Sequence, residues 1–176
     1  AFVPSVPEET ETSLVINGTD DPDYLVGTSS DELMLGMGES DSLYGANGND
    51  EIEGGEGNDT LNGGGGNDVL LGGQGDDVYE FNTGDGVDSI TDTSGVDTIA
   101  FGDGITPDML TLGVGSLLIR VGEGGETIHI NGFNPDDVLR SEVVEFFQFT
   151  GGATLTYGEL VARGFNIDGT PDDDII

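Results

Sequence analysis

From Gly18 to Glu80 one apolar side chain recurs at every ninth position: Leu25, Met34, Leu43, Ile52, Leu61, Leu70 and Tyr79. Each sits in the middle of a short triplet such as Thr60-Leu61-Asn62, which has the two-residue alternation of a strand with one face turned inward. The residues before each triplet are polar and rich in Gly, the composition of a turn. The pattern therefore predicts a three-residue strand and a turn, repeated in seven unbroken copies. One copy alone buries nothing. Two copies per revolution give a flattened coil whose strands stack in two sheets, so the stretch is predicted to be a right-handed parallel β-roll in an all-β chain.

The spacing also carries chemistry. The cleanest copies run Gly54-Gly-Glu-Gly-Asn-Asp59, Gly63-Gly-Gly-Gly-Asn-Asp68 and Gly72-Gly-Gln-Gly-Asp-Asp77, with Gly first and Asp sixth. Gly in the first four positions tolerates positive φ and lets turn carbonyls converge on a common point without a Cβ in the way. Copies eighteen residues apart stack at the strand spacing of roughly 4.8 Å, which places Asp23, Asp41, Asp59 and Asp77 on one edge and Glu32, Asp50 and Asp68 on the other. Carboxylates about 5 Å apart repel one another by roughly 1 kcal/mol in water and by several at a protein surface. A hard dication that takes oxygen ligands reverses that sign, and calcium suits it better than magnesium, which demands tight octahedral geometry. The second copy, Gly27 to Leu35, has Glu32 in the ligand position and is expected to bind weakly or not at all. A disordered acidic segment shares this composition, but strict phasing over seven copies argues against it.

Charge narrows the partners. Three basic residues against 36 acidic ones give a formal charge of −33, with no Lys, so nucleic acid and anionic membrane surfaces are excluded as direct partners. There is no Cys, which leaves metal as the available staple for a thin core. No apolar run is long enough for a membrane helix, and the N-terminus lacks the features of a secretory signal. Residues 1–13 read as a linker, 14–100 as the roll, 101–168 as a β-rich capping region, and 169–176, which again has Gly first and Asp sixth, as the start of a further copy in a longer protein.

After Glu80 the phase slips by two residues and continues weakly through Gly84 to Ile90 and Gly95 to Ile99, degenerate final coils in which one metal site is expected to break while Ile90 and Ile99 stay in the core. Leu117–Val121 and Thr127–Ile130 around Gly122-Glu-Gly-Gly125 predict a hairpin, and Val143–Phe149 a strand. Thr156-Tyr-Gly-Glu159 is a capping box before a short helix that stops at Gly164. Thr106-Pro and Asn134-Pro are smaller helix starts. This region is expected to cover the end or one face of the coil, with Val69, Leu71 and Val78 as a docking patch bounded by Glu51 and Glu53.

The array Gly36 to Glu80 resembles the calcium-binding repeats of the RTX (repeats-in-toxin, haemolysin-type) family of secreted bacterial proteins, and the stretch from Phe81 resembles the β-rich region that often follows them. The resemblance implies a roll that is unfolded at the low calcium of a bacterial cytoplasm and folds after type I secretion, in an extracellular location of a Gram-negative organism. It implies calcium held by the sixth-position Asp and by the carbonyls of turn residues. On this chain those are Asp23, Asp41, Asp50, Asp59, Asp68 and Asp77 with Gly36 and Gly38, Gly45 and Asn47, Gly54, Gly55, Glu56 and Gly57, Gly63, Gly64, Gly65 and Gly66, and Gly72, Gly73, Gln74 and Gly75. About three to six ions are expected. The implied partners are calcium, neighbouring repeat blocks or domains of a longer parent, and the secretion apparatus.

The favoured function is a noncatalytic calcium-binding scaffold or secretion-folding module. A carbohydrate- or cell-surface-binding module is the alternative, motivated by Phe146, Phe147, Phe149 and Tyr157, though alternating Phe in a strand more often builds core. For an enzyme, His129 is the one His, mid-strand with no nucleophile elbow nearby, and a structural role outweighs general-base work. Arg120, Arg140 and Arg163 lie outside the array, with no partner assigned by sequence.

Overall fold

The computed structural model describes residues 14–113, 117–132 and 143–164. The expected linker, the helix start at Asn134, Arg140 and the further copy at 169–176 lie outside these residues. The roll is built from β1 (Leu14–Asn17), β2 (Tyr24–Val26), β3 (Glu32–Gly38), β4 (Ser42–Tyr44), β5 (Glu51–Glu56), β6 (Thr60–Asn62), β7 (Val69–Gln74), β8 (Val78–Phe81), β9 (Val87–Thr91) and β10 (Thr98–Phe101). Odd strands stack in parallel in one sheet and even strands in the other, a parallel β-roll of about five turns.

Register follows the repeat. In one sheet Ile16, Met34, Ile52 and Leu70 are successive partners, and in the other Leu25, Leu43, Leu61 and Tyr79, each step spanning eighteen residues. Met34, Leu43, Ile52 and Leu61 are fully buried, so one inward side chain per copy does form the core. Leu25 is only partly buried, because it lies in β2, the terminal strand of its sheet. The phase slip becomes a twenty-residue step, pairing Leu70 with Ile90 and Tyr79 with Ile99. Both isoleucines stay buried, as expected.

Two expectations need correction. The odd strands are not triplets: β3 has seven residues and β5 and β7 six each, because pairing continues through the turn, Met37 with Gly55 and Gly55 with Gly73. The two edges of the coil therefore differ, since the even strands β4 and β6 stop at three residues. The second correction concerns Gly. Positive φ falls at the second and fourth positions, Gly55, Gly64 and Gly73, and Gly57, Gly66 and Gly75, while the first-position glycines have ordinary φ. Their requirement is space, as the site below makes clear.

The region after the roll covers its end. β11 (Leu110–Gly113), β12 (Leu117–Val121) and β13 (Glu126–Ile130) extend one sheet, β13 lying parallel to β9; β14 (Phe146–Phe149) and β15 (Thr154–Thr156) extend the other, β14 lying parallel to β10. The predicted hairpin is β12–β13. The strand predicted from Val143 begins only at Phe146, where the amides of Glu145 and Phe146 both donate to the Asp97 carbonyl. The core runs on without a break: Ile90 faces Ile130, Ile99 faces Phe147, and the rings of Phe81, Phe101 and Phe149 follow one another at 6.3 and 5.0 Å. Attachment is thus by strand pairing at the coil end, and the outer patch is not the dock, since Val69 keeps 41% exposure. A 3-10 turn occupies Pro107–Met109, and α1 (Tyr157–Val161) starts on the expected box, with the Thr156 side chain accepting from the Glu159 amide and Glu159 from Thr156.

Candidate metal centres along the coil edges

Each sixth-position carboxylate does two things with its two oxygens. Oδ1 accepts the backbone amide of the sixth residue one coil earlier: Asp41 from Asp23, Asp50 from Glu32, Asp59 from Asp41, Asp68 from Asp50 and Asp77 from Asp59, all at 2.8 Å. The ladder survives the phase slip, because Asp88 accepts from Asp68 at 3.1 Å and Asp97 from Asp77 at 2.9 Å. It ends on the capping region, where Glu145 accepts the Asp97 amide at 2.6 Å.

Oδ2 is different. In Asp41, Asp50, Asp59, Asp68 and Asp77 it is buried and accepts no hydrogen bond. It points at the bare face of the first-position Gly of its own turn: a Cβ on Gly36 would lie 2.5 Å from the Asp41 Oδ2 and 2.5 Å from the Gly54 carbonyl. The same pairing of a carboxylate oxygen with the next coil's carbonyl surrounds Gly45 (Asp50, Gly63) and Gly54 (Asp59, Gly72). The two nearest atoms in each of these cradles are oxygens, and the space between them is why Gly stands first. A buried acceptor without a donor costs about 1–3 kcal/mol, more when charged, so a row of them calls for a hard cation. The residues present fit calcium on that ground.

The first two turns show the contrast. At Asp23 and Glu32 the same oxygen is already satisfied, by the Thr19 amide at 2.7 Å and hydroxyl at 2.9 Å, and by the Thr28 amide at 2.9 Å. Where position two is Thr, the turn closes on its own carboxylate.

Burial is the leading cause of every shift along the ladder. It raises the carboxyls of Asp41, Asp50 and Asp59 above the ordinary 3.8, opposed by the accepted amide and reinforced by the neighbouring carboxylate. Asp68 is pushed to about 6 and Asp77 to about 7. Asp88 reaches about 8 and Asp97 about 7, again chiefly by burial. Without a cation, burial thus disfavours the ionised form inside the edges.

Sequence reasoning placed the five orphaned carboxylates and missed others. Asp88 and Asp97 keep the Asp-x-apolar spacing before Ile90 and Ile99, a signal that the slip disguised. Of the third-position residues, the side chains of Asn47, Glu56 and Gln74 are exposed, while the Gln74 carbonyl accepts the Gly57 amide. Fifth-position side chains form an outer ladder instead, Asn49 accepting from Asn67 and Asn58 from Asp76. Phe147, Phe149 and Tyr157 are buried and Phe146 half-buried, which makes them core. His129 is half-buried in β13, opposite Ser89. No helix among the described residues is long and apolar enough to cross a membrane.

Residues 44–79, which carry Asp50, Asp59, Asp68 and Asp77, match the family model of the RTX calcium-binding nonapeptide repeat (4 copies). No curated protein matches the chain.

Proposed function

We propose that this chain, whose residues 44–79 are RTX calcium-binding nonapeptide repeats, is a structural module of a secreted protein whose roll folds when calcium fills its edges. The observation that carries the reading is the row of five buried Oδ2 atoms without donors. Left bare, at about 1–3 kcal/mol each, they oppose folding on the scale of a domain's net stability of about 5–15 kcal/mol. Filled, they become ligands. Asp41 with Asp59, Asp59 with Asp77, and Asp50 with Asp68 would hold ions between same-edge turns, with the carbonyls of Gly54, Gly63 and Gly72 beside them. Calcium supplies the positive charge; the chain supplies the oxygens, which the Oδ1 ladder holds in place as the roll forms.

Such coupling suits export unfolded through a type I channel, followed by folding outside a Gram-negative cell at higher calcium. Neighbouring repeat blocks or domains of a longer parent are the proposed partners, and the module's role is scaffold rather than catalyst. Circular dichroism of metal-free chain during a calcium titration, with magnesium at equal ionic strength as the screening control, tests it. Cooperative gain of β-signal with calcium alone supports the reading; a chain already folded without metal, or equally responsive to magnesium, ends it.

A further inference from the structure

The column of first-position glycines, Gly36, Gly54 and Gly72, is broken by the phase slip. Pairing of Leu71 with Thr91 brings Asp92 to the place beside Gly72 where the next Gly would stand. The carbonyl that completes the cradles of Gly36 and Gly54 is there replaced by side chains: the Asp77 Oδ2, the Asp92 Oδ2 and the Tyr79 hydroxyl all lie within 3.0 Å of the missing Cβ of Gly72. One carboxylate oxygen each from Asp77, Asp92 and Asp97 falls within 4.8 Å of the others.

Independent of the clustering, Asp77 is fully buried, its Oδ2 points into this space, and no donor meets it. The surroundings are built rather than incidental. Tyr79, the one aromatic among the inward residues of the array, accepts the Gly72 amide at 2.9 Å and donates to Asp92, holding that carboxylate beside Asp77. Asp97 is tied through Oδ1 to the Asp77 amide, and its own amide is bound by Glu145 of the capping region.

We infer that Asp77, Asp92 and Asp97 form a further divalent-cation site, distinct from the repeat cradles, that closes the Asp41–Asp59–Asp77 edge where the roll meets its cap. The site has three carboxylates. That donor set is oxygen only and, once ionised, carries three negative charges, which selects a hard cation of calcium type, with water completing its shell on the half-exposed Asp92 side. Tyr79 is a positioning residue. The inference rests on the calcium reading above and shares Asp77 with it, while Asp92 and Asp97 lie outside the seven copies.

Native mass spectrometry at calcium that saturates the wild type tests it. Asp92→Asn should bind one ion fewer, while Asp103→Asn, the same charge change at an exposed turn, keeps the full count. Terbium is the second probe. The chain has no Trp, so terbium emission is excited through tyrosine, and Asp92→Asn should lose most of the component sensitised by Tyr79 while Asp103→Asn retains it. An unchanged count and emission in Asp92→Asn overturns the site and leaves the repeat reading standing. Loss of every ion in Asp92→Asn overturns it too, because Asp92 would then hold the fold rather than one ion. A wild type that binds no calcium overturns both readings.

Discussion

Two kinds of turn occupy the same edges of one coil. In those that begin at Gly18 and Gly27, Thr19 and Thr28 each give both amide and hydroxyl to the carboxylate four residues on. In those that begin at Gly36, Gly45, Gly54, Gly63 and Gly72, position two is Met, Ala or Gly, and the corresponding oxygen is buried with no donor. The backbone ladder is the same in both, since Asp23 and Glu32 donate to Asp41 and Asp50 as the later copies donate to theirs. What the self-sufficient turns share and the others lack is a Thr beside the first Gly. Loss of satisfaction, rather than acidity as such, marks the site. Asp31, on the same coil as Glu32, is exposed and accepts from Asn49, and nothing about it asks for metal.

The comparison breaks most completely at Asp59, which serves two cradles. Asp59→Asn keeps the Oδ1 acceptor for the Asp41 amide but gives up the anionic Oδ2. At saturating calcium it should bind two ions fewer by native mass spectrometry. In metal-free chain the same change removes the cost of the bare oxygen, about 1–3 kcal/mol, so less of a folding-promoting osmolyte should be needed to induce β-signal, and the substitution has opposite signs with and without calcium.

Protons should act as weak stand-ins for the cation. Folded carboxyls at about 6 in Asp68, about 7 in Asp77 and Asp97 and about 8 in Asp88 lie above their ordinary 3.8. The folded metal-free chain then binds more protons than the unfolded one, so this stability is fully present below about pH 4 and is lost as pH rises through about 6 to 8. Calcium needs the ionised forms, so its affinity should rise over that same window. The β-signal of metal-free chain by circular dichroism at both ends of the range, paired with calcium titrations, gives the two slopes.

A smaller effect runs the other way. Thr28→Gly combined with Glu32→Asp recreates a bare turn above Asp50, and calcium stoichiometry should increase by one ion. The smallest effect isolates the backbone. Ala46 holds φ at 82°, at the position where Gly64 has 87°, and Ala46→Gly should raise calcium-bound stability by up to about 1 kcal/mol, read as a shift in thermal midpoint without any change in ion count.

Much of this was legible because period and chemistry coincide. The inward column from Met34 to Tyr79, the two carboxylate edges, the β12–β13 hairpin and the box at Thr156 each follow from spacing that local physics makes nearly obligatory. What escaped depends on neighbours distant in sequence. The strands β11 and β15 are short and acquire their pairing only from β12 and β14. Asp92 carries no repeat position at all, and only the twenty-residue step places it beside Gly72. Which glycines need positive φ and which need empty space was also not separable, since both requirements leave the same letter in the sequence.

The central claim is that ions go where carboxylate oxygens have no protein donor. Anomalous diffraction from crystals grown in calcium and exchanged into terbium tests it directly. The account predicts peaks beside the Oδ2 atoms of Asp41, Asp50, Asp59, Asp68 and Asp77 and none against the Thr19 and Thr28 turns. Peaks at those threonine turns, or an Oδ2 row with no metal beside it in a folded chain, would contradict it.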